Sequence, residues 1–240
     1  MIHLLTSGFK RVALTLAAVI STAVLASTPA PAQNPQVVDK LMAIKQAQET
    51  NKQKLAQYTW TETETISLKG EVKDTKTYQV QMVNGKAQKT LVNDQKASSG
   101  GGREGRVKER VVDKKKAEYQ QYGQSIAALA KQYTTPNPEA LMAAKQAGNI
   151  SLVPGAGTVS LVIKSYVKPG DSVTMTINEA THSPAGVQVN SYLNDPKDAV
   201  TISAQFAQLP DGTNHVATTT TNGVSKELTV NDQNSNYQKH

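Results

Sequence analysis

The sequence predicts an α+β fold: a curved, half-barrel-like antiparallel β-sheet covered on one face by helices. Three observations point to it. First, "YTWTETETISLKGEVKDTKTYQVQMV", from Tyr58, alternates with period two around a central turn signal, as a hairpin does. Second, the chain beyond Thr158 is a series of short β-branched runs separated by Gly, Pro, Asn and Asp. Connections that short make neighbouring strands antiparallel. Third, apolar residues recur at three- and four-residue steps before the hairpin and between the two β regions, as in amphipathic helices. A sheet with one apolar and one wet face needs a cover, and these helices are its only candidates.

Residues 1–32 read as a leader rather than as part of the fold. Lys10 and Arg11 form its positive end, Val12 to Ala26 its apolar run, and Ala30-Pro31-Ala32 its small-x-small cleavage site. The apolar run is too short for a good transmembrane span, and no cysteine follows it for lipid attachment. The expected mature chain is soluble and periplasmic or secreted, cleaved after Ala32. The 240-residue chain contains no Cys at all, so an ordinary core must hold it together without disulfides. Thiolate chemistry and Cys-based zinc sites are excluded by the same absence. Residues 33–240 suit a single exported domain.

Asn34-Pro35 is a helix start, with Asn as cap and Pro at the first helical position. Val37, Leu41, Ile44, Ala47, Asn51, Leu55 and Tyr58 then recur at helical spacing. In the hairpin that follows, Trp60, Glu62, Glu64, Ile66 and Leu68 share one face. If Leu68 faces Val72, then Glu64 faces Lys76, Glu62 faces Tyr78 and Trp60 faces Val80. Asn84-Gly85 suits a second, type I′ turn, with a third strand from Lys86 to Val92. Ser98 to Gly102 reads as a Gly-rich linker opening a helical insertion at about 98–148. A helix entered at about Val107 continues through Tyr119, Tyr122, Ile126, Leu129 and Tyr133, with Gly123 as its weak point. Asn137-Pro138-Glu139 starts a shorter helix that Gly148 ends.

Six strands are expected beyond the insertion: Thr158–Val167, Ser172–Glu179, Val187–Leu193, Ala199–Leu209, Asn214–Thr221 and Val224–Val230. The tail "NDQNSNYQKH" is polar and expected to fray. Asp171, Asp195, Asp198 and Asp211 lie in or beside turns, where aspartate commonly bonds its own backbone.

Little in the chain points to catalysis. Glu62 and Glu64 could in principle share acid–base work, but Lys76 and Tyr78 opposite them favour a structural ion pair or hydrogen bond. His182, His215 and His240 show no metal-ligand spacing, and no D-x-D-x-D-G loop for calcium occurs. No G-x-S-x-G elbow is present. Gly100 and Gly105 mimic the spacing of a phosphate loop, yet Arg106-Val107 stands where Lys-Ser/Thr is required. The expectation is therefore no enzyme, no cofactor, no metal, no nucleotide and no nucleic acid.

Charge is uneven. Residues 33–148 hold 19 basic and 12 acidic side chains, and residues 149–240 hold 5 and 7. Such asymmetry suits a surface that meets an anionic envelope component.

The order of leader, amphipathic helix, the hairpin "YTWTETETISLKGEVKDTKTYQV", helical insertion and antiparallel strands resembles the LolA/LolB-like family of periplasmic lipoprotein carriers and their outer-membrane lipoprotein-sorting relatives. The resemblance implies a half-barrel capped by helices whose hollow holds acyl chains. It implies a lipid or lipoprotein partner and a soluble carrier; separately, the chain is expected to be a monomer. The alternative is a structural or interaction protein of the envelope, with a filled core and a basic surface for anionic polymer or lipid. The apolar candidates for the concave face are Trp60, Ile66, Leu68, Tyr78, Val80, Met82, Val173, Met175, Ile177, Val200, Ile202 and Phe206. Gly100, Gly101 and Gly102 are the candidate hinge of a helical lid.

Overall fold

The computed structural model describes residues 46–96, 106–134 and 137–240. The leader at 1–32, the helix start at Asn34-Pro35, and Gly100, Gly101 and Gly102 lie outside these residues. A helix α1 (46–55) leads into β1 (Tyr58–Leu68), β2 (Glu71–Val83) and β3 (Lys86–Lys96). Two helices follow, α2 (Arg106–Thr134) and α3 (Pro138–Gln146). Seven strands complete the chain: β4 (Ile150–Gly155), β5 (Thr158–Lys164), β6 (Ser172–Asn178), β7 (Pro184–Tyr192), β8 (Ala199–Gln208), β9 (Asn214–Gly223) and β10 (Leu228–Lys239).

Among the described residues, the ten strands form one curved, open antiparallel sheet in the order β3-β2-β1-β10-β9-β8-β7-β6-β5-β4. Neighbours are consecutive in sequence everywhere except at the seam where the first strand, β1, pairs with the last, β10.

The β1–β2 register follows from side-chain alternation. Glu64 faces Lys76, Glu62 faces Tyr78 and Trp60 faces Val80. Leu68 does not face Val72, however. A bulge after Ile66 pairs Ser67 with Val72 and Leu68 with Glu71, which leaves Val72 exposed. The cause is the turn: Lys69 and Gly70 both have positive φ (55° and 78°), so the loop is a tight two-residue one that sets Leu68 opposite Glu71. Asn84 and Gly85, with φ of 51° and 72°, make the second turn in the same way.

Three further expectations need correction. Ile150–Gly155 is a strand at the sheet edge. Five of its six residues are exposed, so it lacks the alternation of a half-buried strand. Val224–Lys226 is a 3-10 turn rather than the start of a strand. The tail does not fray: β10 runs to Lys239, and the His240 backbone N–H still bonds the Gln57 carbonyl at 2.9 Å. Gly123, for its part, does not interrupt α2.

Helices α2 and α3 cover one half of the sheet. Tyr122, Ile126, Leu129, Ala130 and Tyr133 of α2 and Leu141 and Ala144 of α3 are buried in one cluster with β5–β8. Ile163, Val200 and Ile202 in that cluster are fully buried, and Val173 and Val189 nearly so. Each such aliphatic side chain contributes about 1.5–3 kcal/mol. α2 lies so close to the end of β9 that a Cβ on Gly223 would stand 2.4 Å from Ile126 Cδ1. The α2 end is tied down through buried Asp171. Its carboxylate accepts from the backbone N–H groups of Tyr166 (2.6 Å), Val167 (2.9 Å) and Lys168 (2.9 Å) and from the Tyr133 hydroxyl (2.5 Å). That is the local backbone capture expected of a turn aspartate. Asp195 and Asp211 do the same for Lys197 and Thr213.

One row of cross-strand partners shows how the inner face changes along the sheet. From β3 to β4 it reads Asp94, Lys76, Glu64, Asp232, Thr219, Ala204, Val187, Met175, Leu161, Leu152. The face is charged at β2, β1 and β10 and apolar from β8 onward. The covering helices divide in the same way, with α2 and α3 over the apolar half and α1 beside the charged half.

Candidate functional site

Helix α1 is docked by a side chain that breaks its own apolar stripe. Asn51 sits where the helical pattern calls for a hydrophobe. Its Nδ2 donates to the Asn214 carbonyl at 2.8 Å and its Oδ1 accepts from the Asn214 N–H at 2.6 Å. Asn214 Nδ2 in turn donates to the Pro184 carbonyl at 3.0 Å. The amide pair thus completes backbone hydrogen bonding at the start of β9, which a leucine could not do.

Between α1 and the sheet lies a cavity of about 160 Å³. Ala47, Asn51, Lys52 and Leu55 form its helical wall. Its sheet wall consists of Trp60 and Glu62 of β1, Met82 of β2, Ala87 and Lys89 of β3, and Phe206 of β8. Asn214, His215 and Val216 of β9 and Asn234 and Tyr237 of β10 close the remaining side.

The aromatic part of the wall depends on a bulge. Thr59 pairs with Gln238 and Thr61 with Ser235, so Asn236 and Tyr237 together stand opposite Trp60. Asn236 takes positive φ (54°), a conformation asparagine tolerates better than most residues. The extra residue shifts the alternation of β10 by one. Inward-facing Asp232 and Asn234 are therefore followed by Tyr237 rather than Asn236. Tyr237 stacks on Trp60 (ring centroids 5.4 Å apart, planes 17°), and the His215 ring lies 4.2 Å away. Trp60 Nε1–H donates to Asn234 Oδ1 at 3.0 Å, and Asn234 Nδ2 donates to the Val216 carbonyl at 3.0 Å. The indole is thereby held by a side chain that is itself held by the backbone.

Beside the rings lies a buried charge cluster. Glu62, Glu64, Asp74, Lys76 and Asp232 are each at most 9% exposed. Lys89 pairs with Glu62, and Lys76 lies 3.5 Å from Glu64 and 3.1 Å from Asp74. One carboxylate oxygen of Asp74 and one of Asp232 accept no hydrogen bond. Burial, reinforced by the negative charge of Glu62, pushes the Asp232 carboxyl up to about 8. Burial also raises Glu64, against the opposing pull of Lys76. The Tyr78 phenol is raised by burial and by Glu64 and Glu62, and the Tyr237 phenol by burial and Glu62. Burial lowers His215. Its neutral ring places Nδ1 3.1 Å from the Val216 carbonyl, where Nδ1–H must be the donor.

The sequence candidates for the concave face divide between the two halves. Trp60, Met82 and Phe206 line the cavity. Val80 is fully buried opposite Trp60, and Tyr78 is half-buried under the Lys89 ammonium, 5.8 Å from its ring centre. Ile66, Val173, Met175, Ile177, Val200 and Ile202 belong to the packed cluster under α2 and α3, with Leu68 against its margin. Sequence reasoning missed Asn51, Lys89, Asn214, His215, Asp232, Asn234 and Tyr237. The lone aromatic in the polar tail, Tyr237, was the signal that the tail returns to the sheet. Among the described residues, no group of three or more His, Cys, Asp or Glu side chains is arranged to hold a metal ion. No described helix is long and apolar enough to cross a membrane.

No known protein-family model matches this chain, and no curated protein matches it in sequence.

Proposed function

We propose that this protein is a non-enzymatic, exported binding protein that carries an apolar or amphiphilic envelope component, with one end of that molecule seated in the cavity under α1. The single observation that carries this reading is the division of the concave face. Under α2 and α3 the apolar face is packed into a core, whereas under α1 it leaves about 160 Å³. That volume is close to that of an engineered cavity which accepts one benzene ring. It is smaller than the pockets of about 300–1,000 Å³ that enclose drug-sized ligands. The cavity therefore suits a short chain segment or one ring of a larger molecule. Leu55, Met82, Phe206 and the Trp60–Tyr237 pair offer the apolar contact, at about 0.8 kcal/mol per buried CH₂.

Trp60 is the only tryptophan in the chain and lines the cavity, so its emission reports occupancy directly. Titration with hexanol is expected to give a saturable change in Trp60 emission. An Ala87→Phe variant, which fills the cavity, should lose that change while keeping its circular dichroism. Native mass spectrometry of the exported protein should show a co-purifying apolar molecule. A flat fluorescence titration with no co-purifying molecule would overturn the reading.

A further inference from the structure

The packed cluster and the cavity lie against one face of the sheet, and the opposite face carries a different pattern. Across six neighbouring strands one outward row reads Thr75, Thr65, Asn231, Thr220, Ser203 and Gln188. The next outward row reads Thr77, Thr63, Gln233, Thr218 and Gln205. From β3 to β4 neither row contains a charged side chain. Every named residue of the two rows is half-exposed or exposed. The same strands do carry charges, but Glu62, Glu64, Asp74, Lys76, Lys89 and Asp232 are turned inward. Charged residues ordinarily occupy the wet face of a sheet, and here that arrangement is reversed.

Hydrogen bonds tie outward side chains to one another. Asn231 Nδ2 donates to Thr220 Oγ1 at 2.9 Å, and the Thr229 hydroxyl donates to Asn222 Oδ1 at 2.9 Å. The Ser160 and Thr176 hydroxyls lie 3.1 Å apart. Threonine is also stiff at χ1, so these groups lose little freedom when they bind. Within a row the groups repeat at about 4.8 Å from strand to strand. The result is a preorganised array of neutral hydroxyls and carboxamides, each able to donate and to accept. Nucleic acid and anionic lipid call for Lys or Arg, and protein partners call for aromatic or Arg anchors. Neither row supplies them. An uncharged polymer with repeating hydroxyls matches the face in charge, in hydrogen-bonding capacity and in having a repeat.

We propose that this face binds a neutral polysaccharide laid across the strands. The polysaccharide face and the cavity lie on opposite sides of the sheet, so occupation of one leaves the other open.

The test is co-sedimentation of the wild-type mature protein with four insoluble neutral polysaccharides: cellulose, chitin, a β-1,3-glucan and granular starch. Retention on at least one of them is expected, and high salt should leave it unchanged because no charge takes part. Combining Thr63→Lys with Thr220→Lys places two long cations in the middle of the face. That variant should bind about tenfold more weakly, with unchanged Trp60 emission and circular dichroism. Combining Thr63→Ser with Thr220→Ser keeps both hydroxyls and should keep retention. Retention on none of the four overturns the proposal. Retention that high salt abolishes, or that the lysine variant leaves intact, also overturns it. A concentration-dependent dimer of the wild type that the lysine variant abolishes would give the face to a second copy of the chain, and overturns it as well.

Discussion

The two halves of the concave face are built on the same ladder and solve burial in opposite ways. Under α2 and α3, Val200, Ile202 and Ile163 are sealed by aliphatic and aromatic side chains. Beside α1, Glu62, Glu64, Lys76 and Asp232 are buried as well, less completely, and are held by partial charge pairing and a raised pKa. Apolar packing is indifferent to pH and tolerates no missing volume. A charged cluster is sensitive to pH, and its cavity can remain because the wall is braced by hydrogen bonds such as Asn51–Asn214 and Trp60–Asn234. The difference shows that a sheet can be filled at one end and hollow at the other when its row of inward residues changes character partway across.

That contrast can be broken most severely in the filled half. Ile202→Ala should lower unfolding free energy in urea by about 2–5 kcal/mol, equally at pH 5 and pH 9. A strong pH dependence of that loss would mean that the halves are not independent. The next largest effect lies in the charged half and has a definite sign. Asp232 is raised to about 8 in the folded protein, above its unfolded value of about 3.9. The native state therefore binds the proton more tightly. The stability this provides is complete below about pH 4 and is lost as pH rises through about 8. Asp232→Asn should remove that loss, so between pH 5 and pH 9 the wild type should weaken by ~4 kcal/mol more than the variant. Parallel stability curves for the two proteins would refute the buried-charge account. The smallest effect concerns the brace. Asn51→Ala should cost only about 1–2 kcal/mol, yet hydrogen exchange of the backbone amides at 51–55 should accelerate while those of α2 stay protected. Unchanged exchange in α1 would show that the Asn51–Asn214 pair does not hold the helix.

Local signals carried much of the fold. The alternation of β1 and β2 placed Glu64 opposite Lys76 and Trp60 opposite Val80, because side-chain period and turn chemistry act over a few residues. The turn aspartates were legible for the same reason. The β1–β10 seam was not, since it joins residues 160 or more positions apart and β10 has a polar composition. Its inward residues, Asp232, Asn234 and Tyr237, look like solvated surface until the partner strand is known. The Asn236 bulge compounds this, because one inserted residue reverses which side chains face in. Half of the candidate site was therefore readable from β1 and β2, while the half supplied by β9 and β10 depended on long-range pairing.

The seam also has a consequence in time. Every other pair of neighbouring strands is made in succession, but β1, once paired with β2, must wait for β10, far along the chain, to fill its other edge. Contacts between distant positions form slowly because a long loop must close first. Until then, Glu62 and Glu64 remain in water, where carboxylates need no partner. The charged cluster and the hollow beside it therefore wait on the β1–β10 pairing, and a chain truncated before Leu228 is expected to keep the β1–β2 hairpin but to lack the Asn234 and Tyr237 wall of the cavity, along with Leu228 from the filled half.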